Sequence, residues 1–214
     1  MTDIRNNPIV RSTVERSLAE RADMYGDEVQ RLVDATYRII ARTASINPTV
    51  REIIAEAGVS TQAFYRHFRS KDELLAVLLD DGRRRIVDYL AHRMSKVDSP
   101  VQQVREFVEG VMAQAIDAAA AARTRPFIVQ QDRLADQFEA YQRESIDRIV
   151  ELLEAPLRAI RPGPTAADDA RTVYQLAFSS MGQHVRDRTV PSAFEIENLV
   201  SFVLRGIGAE TLDQ

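Results

Sequence analysis

Cysteine is missing from the sequence, and with it go disulfides, thiolate catalysis and cysteine-built zinc or iron–sulfur sites. A fold held by packing alone follows. Histidine is scarce, occurring only as His67, His92 and His184, and the residues three before them are Phe64, Tyr89 and Met181. A carboxylate-bridged di-metal bundle needs glutamate at that spacing, so its ligands are not here. His-Glu-x-x-His, a phosphate-binding glycine loop and a dinucleotide fingerprint are missing as well. Asp80-Asp81 and Asp168-Asp169 lack a third acid at helical spacing and read as helix-surface or first-turn residues. The expectation is no catalytic residue, no metal and no cofactor, with a helical-bundle enzyme as the less favoured alternative. No stretch approaches the roughly 20 apolar residues that span a bilayer. The opening residues mix acids with arginines where a signal peptide needs an apolar core. A cytoplasmic protein without a membrane partner is expected.

What is present is helix. No convincing strand alternation occurs, whereas a Ser or Thr followed three residues later by Glu or Gln recurs at Ser12–Glu15, Thr49–Glu52, Ser70–Glu73, Ser99–Gln102 and Ser192–Glu195. In this pattern the hydroxyl accepts from an early backbone N–H while the acid or amide reaches back, satisfying donors that a helix leaves unpaired. Pro100 suits a first helical position, since it has no N–H to lose. Helices are expected at 12–24, 27–44, 50–57, 61–67, 71–95, 100–122, 127–160 with an interruption, 166–187 and 193–208. Pro126 and Pro156 are expected to break or kink their segments, and Arg161-Pro162-Gly163-Pro164 to stop one firmly.

The net charge is −4, distributed unevenly. Between Asp27 and Lys71 the cations Arg31, Arg38, Arg42, Arg51, Arg66, Arg69 and Lys71 outnumber the acids Asp27, Glu28, Asp34, Glu52 and Glu56, and much of the acid excess lies beyond residue 98. A slightly basic front and an acidic back result, and the whole-chain sum conceals this split.

Within that front, Thr49 to Phe68 reads as two short helices around Gly58, with Ser60 capping the second. Val50, Ile53, Ile54 and Ala57 form one apolar face and Val59, Ala63, Phe64 and Phe68 the other. Helices this short are marginal alone, so both must pack against the 27–44 helix through Val29, Leu32, Val33, Thr36, Ile39 and Ile40. Thr61, Gln62, Tyr65, Arg66 and His67 are left to face outward. Gln can pair with adenine, Arg with guanine, and Thr can meet a thymine methyl. Tyr65, His67 and Lys71 suit phosphate contacts, Lys71 at the start of the following helix.

The stretch from Thr49 to Leu75, ending Phe64-Tyr65-Arg66-His67-Phe68-Arg69-Ser70-Lys71-Asp72-Glu73-Leu74-Leu75, resembles the signature of the TetR family of bacterial regulators. The resemblance implies an all-α fold: an N-terminal three-helix helix-turn-helix DNA-binding domain at 27–72 and a larger helical effector-binding and dimerisation domain at 73–214, preceded by an extension at 1–26. It makes Thr49, Tyr65, His67 and Lys71 backbone-contacting residues and Thr61, Gln62 and Arg66 groove-facing ones. The implied partners are double-stranded operator DNA, a second copy of the chain and a small-molecule effector. Two departures stand out: Ile54 fills an inter-helix position where a small residue is common, and Ala44 with Asn47-Pro48 replaces a glycine-containing link. The extension carries Arg5, Arg11, Arg16 and Arg21 matched by Asp3, Glu15, Glu20 and Asp23, and a packing or frayed helix is expected there rather than a DNA arm.

Beyond Ser99 no motif carries chemistry. Phe107, Met112, Phe127, Phe138, Tyr141, Tyr174 and Phe178 are candidate lining for an apolar or amphipathic effector, although any helical core contains such residues. The resemblance places the last two helices at a two-fold interface, with Val173, Ala177, Ser180, Leu199, Val203 and Gly206 as candidates; the same stripes could instead face their own core. A helical protein-interaction module without DNA binding is the main functional alternative.

Overall fold

The computed structural model describes residues 8–129 and 139–209, and among them all regular structure is helical. In chain order the helices are α1 (Pro8–Thr43), α2 (Val50–Ala57), α3 (Thr61–His67), α4 (Lys71–Met94), α5 (Pro100–Ile116), α6 (Ala118–Val129), α7 (Glu139–Ile160), α8 (Ala166–Asp187) and α9 (Ala193–Gly206). They fall into two compact units, Met1–Leu74 and Leu75–Gln214, divided within α4.

The first unit is α1 with α2 and α3 folded onto it. Leu32, Val33, Ala35, Ile39 and Ile40 of α1 are buried, as are Ile46, Ile53, Ala57, Ala63, Phe64 and Phe68. Thr36 is the buried polar side chain here, and its hydroxyl donates to the Leu32 carbonyl at 2.7 Å. Two separate helices had been expected up to residue 44, but α1 is continuous through Gly26. A single interior glycine costs about 1 kcal/mol relative to alanine but keeps its N–H, so propagation across it beats a second costly nucleation. Ser12–Glu15 therefore lies inside α1 instead of starting a helix.

α1 ends on Ala44 at φ 52°, the left-handed position that glycine usually fills, with the Ala44 N–H donating to Ile40 at 2.8 Å. The unexpected link is thus built on a strained alanine. Ser45 N–H donates to the Thr43 hydroxyl and Asn47 N–H to the Ser45 hydroxyl, while Ile46 and Pro48 are buried. An L-residue at positive φ costs about 1–2 kcal/mol, partly offset by the extra unfolded-state entropy of glycine. Ala44→Gly is therefore expected to stabilise the unit by roughly 0.5–1 kcal/mol, read as a raised urea midpoint; a lowered midpoint would show that the strain is not felt.

In the second unit α5 lies at the centre, packed by α6, α7, α8 and α9. Its Val104, Phe107, Val108, Val111 and Met112 meet Ile149, Leu153 and Leu157 of α7, Val173, Ala177 and Met181 of α8 and Val200 and Val203 of α9 in one core. The expected 100–122 helix is instead two, because Asp117 turns out of α5 at ψ 110° and its carboxylate accepts from Ala120 N–H at 2.7 Å, capping α6. Pro126 and Pro156 sit inside α6 and α7 without ending either, so tertiary packing outweighs the lost hydrogen bond at each. Ser99 makes no side-chain cap bond; Pro100 alone marks that start. Among the described residues no helix is long and apolar enough to cross a membrane, and no cluster of three metal-ligating side chains occurs.

Candidate nucleic-acid interface

The turn between α2 and α3 is set by local chemistry. Thr49 caps α2 as half of a complete capping box: Glu52 N–H donates to its hydroxyl at 3.2 Å, and Glu52 Oε2 accepts from Thr49 N–H at 2.7 Å. The two bonds from Thr49, backbone first, hold the Glu52 carboxyl below the ordinary carboxylate range. Gly58 closes α2 at φ 64°, where its missing Cβ avoids the left-handed penalty, and both Gly58 and Val59 donate to the Ile54 carbonyl. Ser60 then caps α3, accepting from Ala63 N–H at 3.0 Å.

Burial sorts the faces. Ile53 and Ala57 of α2 and Ala63, Phe64 and Phe68 are inside, whereas Val50, Ile54 and Val59 are half-buried. With its apolar side so committed, α3 presents Thr61, Gln62 and Tyr65 to solvent, Tyr65 at 57% exposure. A short helix showing hydroxyls and an amide is the shape and chemistry that a major groove accepts.

Arg66 and His67 are placed differently from that trio. Glu28 of α1 accepts from Arg66 at 3.2 Å and meets His67 Nε2 at 2.6 Å. Tyr25, one turn earlier on α1, presents its ring beneath Arg66 at 5.1 Å and edge-on to His67 at 5.4 Å. His67 is nearly inaccessible, with 9% of its side chain exposed. It was expected at a phosphate, but here it ties α3 to α1, and the hydrogen bond from its ring is the largest cause of the lowered Glu28 pKa. Arg66 keeps an exposed guanidinium that must leave or share Glu28 to reach a base. Thr49 is exposed but its hydroxyl serves the capping box, and the Lys71 ammonium, at the start of α4, donates to Asn47 Oδ1. Glu56 likewise engages Arg38 at 3.0 Å and Arg42 at 3.3 Å. Of the basic front, Arg31, Arg51 and Arg69 remain exposed without an ion pair among the described residues, and of these Arg51 and Arg69 flank the α2–α3 pair. Both belong to the basic front without standing among the expected contact residues, although position alone, one in the first turn of α2 and one just past α3, singles them out.

In the second unit, Phe107 and Met112 are buried in the core. Phe127 is half-buried, and Tyr174 and Phe178 form a half-buried pair at 4.5 Å. Phe138 and the Tyr141 side chain lie outside the described residues. The dimer candidates divide too: Val173, Ala177 and Val203 are buried in their own unit's core, which corrects their assignment to a surface, while Ser180 and Leu199 are half-buried and Gly206 is exposed. The apolar residues that α9 does expose were missed: Phe194 at 80% and Phe202 at 57%. Phe202 borders a shallow cleft with Ser180 and His184 of α8, Glu195, Asn198 and Leu199 of α9 and Met112.

A chain that is helical among its described residues and whose first unit is a capped helix–glycine turn–helix seated on a third helix is of the helix-turn-helix class. Residues 32–78 match the family model described as "Bacterial regulatory proteins, tetR family". An uncharacterized HTH-type transcriptional regulator, YerO, of Bacillus subtilis (strain 168) is 37% identical over 49 residues, which is 23% of this chain and 17% of that relative. The chain thus matches about a sixth of that relative's length. A transcriptional regulator from Rhodococcus sp. Rha1 superposes with a TM-score of 0.63 at 23% identity, covering 83% of this chain and 96% of the other. The transcriptional regulator FadR from Bacillus subtilis, solved in complex with stearoyl-CoA, superposes with a TM-score of 0.60 at 15% identity over 83% and 96% of the two chains. At these identities the two structures speak for the shared fold.

Proposed function

We propose that the chain is a ligand-responsive transcriptional regulator of the cytoplasm that binds a roughly palindromic operator as a homodimer and blocks transcription until a small apolar or amphipathic effector releases it. The observation that carries this reading is the outward face of α3, where Thr61, Gln62 and Tyr65 stand free above a helix fixed by caps at both ends. Two copies would set their α3 helices in successive major grooves about 34–36 Å apart. In support of the dimer, Phe194 and Phe202 are exposed on α9, an unusual expense of apolar surface unless covered. An amphipathic effector is in keeping with FadR, which holds stearoyl-CoA. Such a ligand shifts the regulator only by binding its DNA-free and DNA-bound conformations unequally.

The test is fluorescence anisotropy on the DNA upstream of the chain's own coding region, comparing wild type with Tyr65→Ala plus Lys71→Ala over a salt series. The expected result is tight binding that weakens with salt and falls at least about tenfold in the double variant, the lost Lys71 charge flattening the salt slope by about one. A folded dimer that binds neither this DNA nor selected genomic fragments would favour an interaction module instead.

A further inference from the structure

Arg66 leaves the last turn of α3 with its guanidinium held by two residues that stand one turn apart on α1. Glu28 Oε2 accepts from Arg66 Nη1 at 3.2 Å, and the Tyr25 ring centre lies 5.1 Å from the guanidinium carbon. His67, next in the chain, meets the same Glu28 oxygen through Nε2 at 2.6 Å and the Tyr25 ring edge-on at 5.4 Å. Exposure rises through this cluster, from 9% for the His67 side chain to 14% for Glu28 and 38% for Arg66. The carboxylate is thus the deeper partner of the ion pair, and among the described residues Arg66 commits a single N–H donor, on Nη1, to the protein. Its Nε and Nη2 donors stay available for a bidentate contact.

Such a setting changes a DNA-facing arginine in two ways. The carboxylate fixes the direction of the guanidinium and the aromatic face fixes its plane, so rotamer freedom that a base contact would otherwise remove is already lost in the free protein. The carboxylate also alters what the guanidinium prefers. A phosphate brings negative charge towards Glu28 and is repelled, whereas the N7 and O6 acceptors of guanine are uncharged and escape that penalty. Arg51 and Arg69, which make no ion pair among the described residues, carry no such bias.

Building on the operator-binding reading above, we propose that Glu28, together with Tyr25, is a specificity-determining positioning residue that holds Arg66 for the major-groove edge of a guanine and turns it away from phosphate. Arg66 reaches the base while still sharing Glu28, and Glu28 itself touches no DNA. Removing the carboxylate releases Arg66 to the backbone, so sequence discrimination falls while binding to arbitrary DNA rises. A residue that merely fastened α3 to α1 would, on removal, weaken both kinds of binding together.

The experiment uses the full chain. A preferred duplex is selected from a random pool with wild type, and anisotropy over a salt series is then measured on that duplex, on its single-base variants and on a scrambled duplex. Wild type, Arg66→Ala, Glu28→Gln, Glu28→Asp and Tyr25→Leu are compared, each checked for folding by its thermal transition. Wild type is expected to prefer a guanine that Arg66→Ala no longer distinguishes, by roughly five- to hundredfold in Kd. Glu28→Gln is expected to lose most of that preference at the same base pair, and to bind the scrambled duplex more tightly with a salt slope steeper by about one. Glu28→Asp keeps the charge and should keep part of the preference. A folded Glu28→Gln that retains the preference, or that weakens preferred and scrambled duplexes alike, overturns the positioning role. An Arg66→Ala variant with wild-type base preferences overturns it too, and leaves operator binding through the rest of α3 standing. Wild type that binds no duplex of the pool overturns the DNA-binding reading and the role of Glu28 with it. Should Glu28→Gln fail to fold, Tyr25→Leu decides: its preference for the guanine is expected to fall, and an unchanged preference overturns the role.

Discussion

Phe64→Ala is expected to destabilise the helix-turn-helix by about 3–5 kcal/mol. Phe64 has no exposed surface, and it touches Tyr65 edge-on at 5.2 Å and Phe68 at 5.9 Å. α3 has seven residues and buries only Ala63 and Phe64 within its length, with Phe68 at its carboxy-terminal cap. A helix so short has no stability of its own, so truncating its largest anchor removes both the transfer energy of the ring and the reason for the helix to stay folded. Against a total stability of about 5–15 kcal/mol for an ordinary domain, that loss is a large fraction. Hydrogen exchange should show α3 amides losing protection first, and DNA affinity should fall although no contacting side chain has changed. A loss under about 1 kcal/mol would mean that the site collapses around the vacated ring and that α3 is held mainly by its Ser60 cap and the Glu28 pairings.

The second large effect concerns assembly. Phe202→Asp, alone or with Phe194→Asp, is expected to convert the proposed dimer to monomer. Both residues are mostly exposed in the single chain, so the substitutions should change the stability of one copy by no more than about 0.5 kcal/mol. At a contact between copies the same change buries an unpaired carboxylate among apolar groups, a cost of several kcal/mol. Sedimentation velocity reads the outcome directly. Operator affinity should fall with it, by a factor on the order of 10² to 10⁴, because each half-site contact then loses the effective concentration supplied by its twin. Variants that stay dimeric would place the interface elsewhere, and variants that lose helicity would point to a role for these rings within the single chain.

Much of the fold was legible because its signals are local. Thr49 with Glu52 and Ser192 with Glu195 form complete capping boxes, Ser60 caps α3, and Gly58 takes the left-handed turn, each deciding geometry within three or four residues of itself. The helix-turn-helix and its exposed Thr61, Gln62 and Tyr65 follow from those signals plus the apolar spacing. Ser99 and Pro126 show the limit of the same reasoning. The Ser99 hydroxyl makes no cap bond, and the proline in α6 is carried along by packing that its own neighbourhood does not reveal.

The candidate site was legible only in part, for a related reason. Arg66 and His67 carry the residue types and spacing of groove and phosphate contacts, yet their partner Glu28 stands 38 and 39 residues away. Nothing in a helix-period pattern announces a pairing across that separation. Helical stripes on α8 and α9 gave the same difficulty: Val173, Ala177 and Val203 recur at the spacing of a buried face, and a buried face in one's own core and one between copies look alike in sequence.

The sequence by itself determined the class of fold, the position of the helix-turn-helix and the side chains that α3 offers, because caps, turns and apolar periodicity act over a few residues of contiguous chain. Only the tertiary structure decided that α1 runs unbroken to Ala44, that Glu28 and Tyr25 hold Arg66 and His67, and that Phe194 and Phe202 rather than Val173 and Val203 face outward. Those outcomes depend on which surfaces are desolvated when distant helices meet, a competition settled by packing over the whole unit.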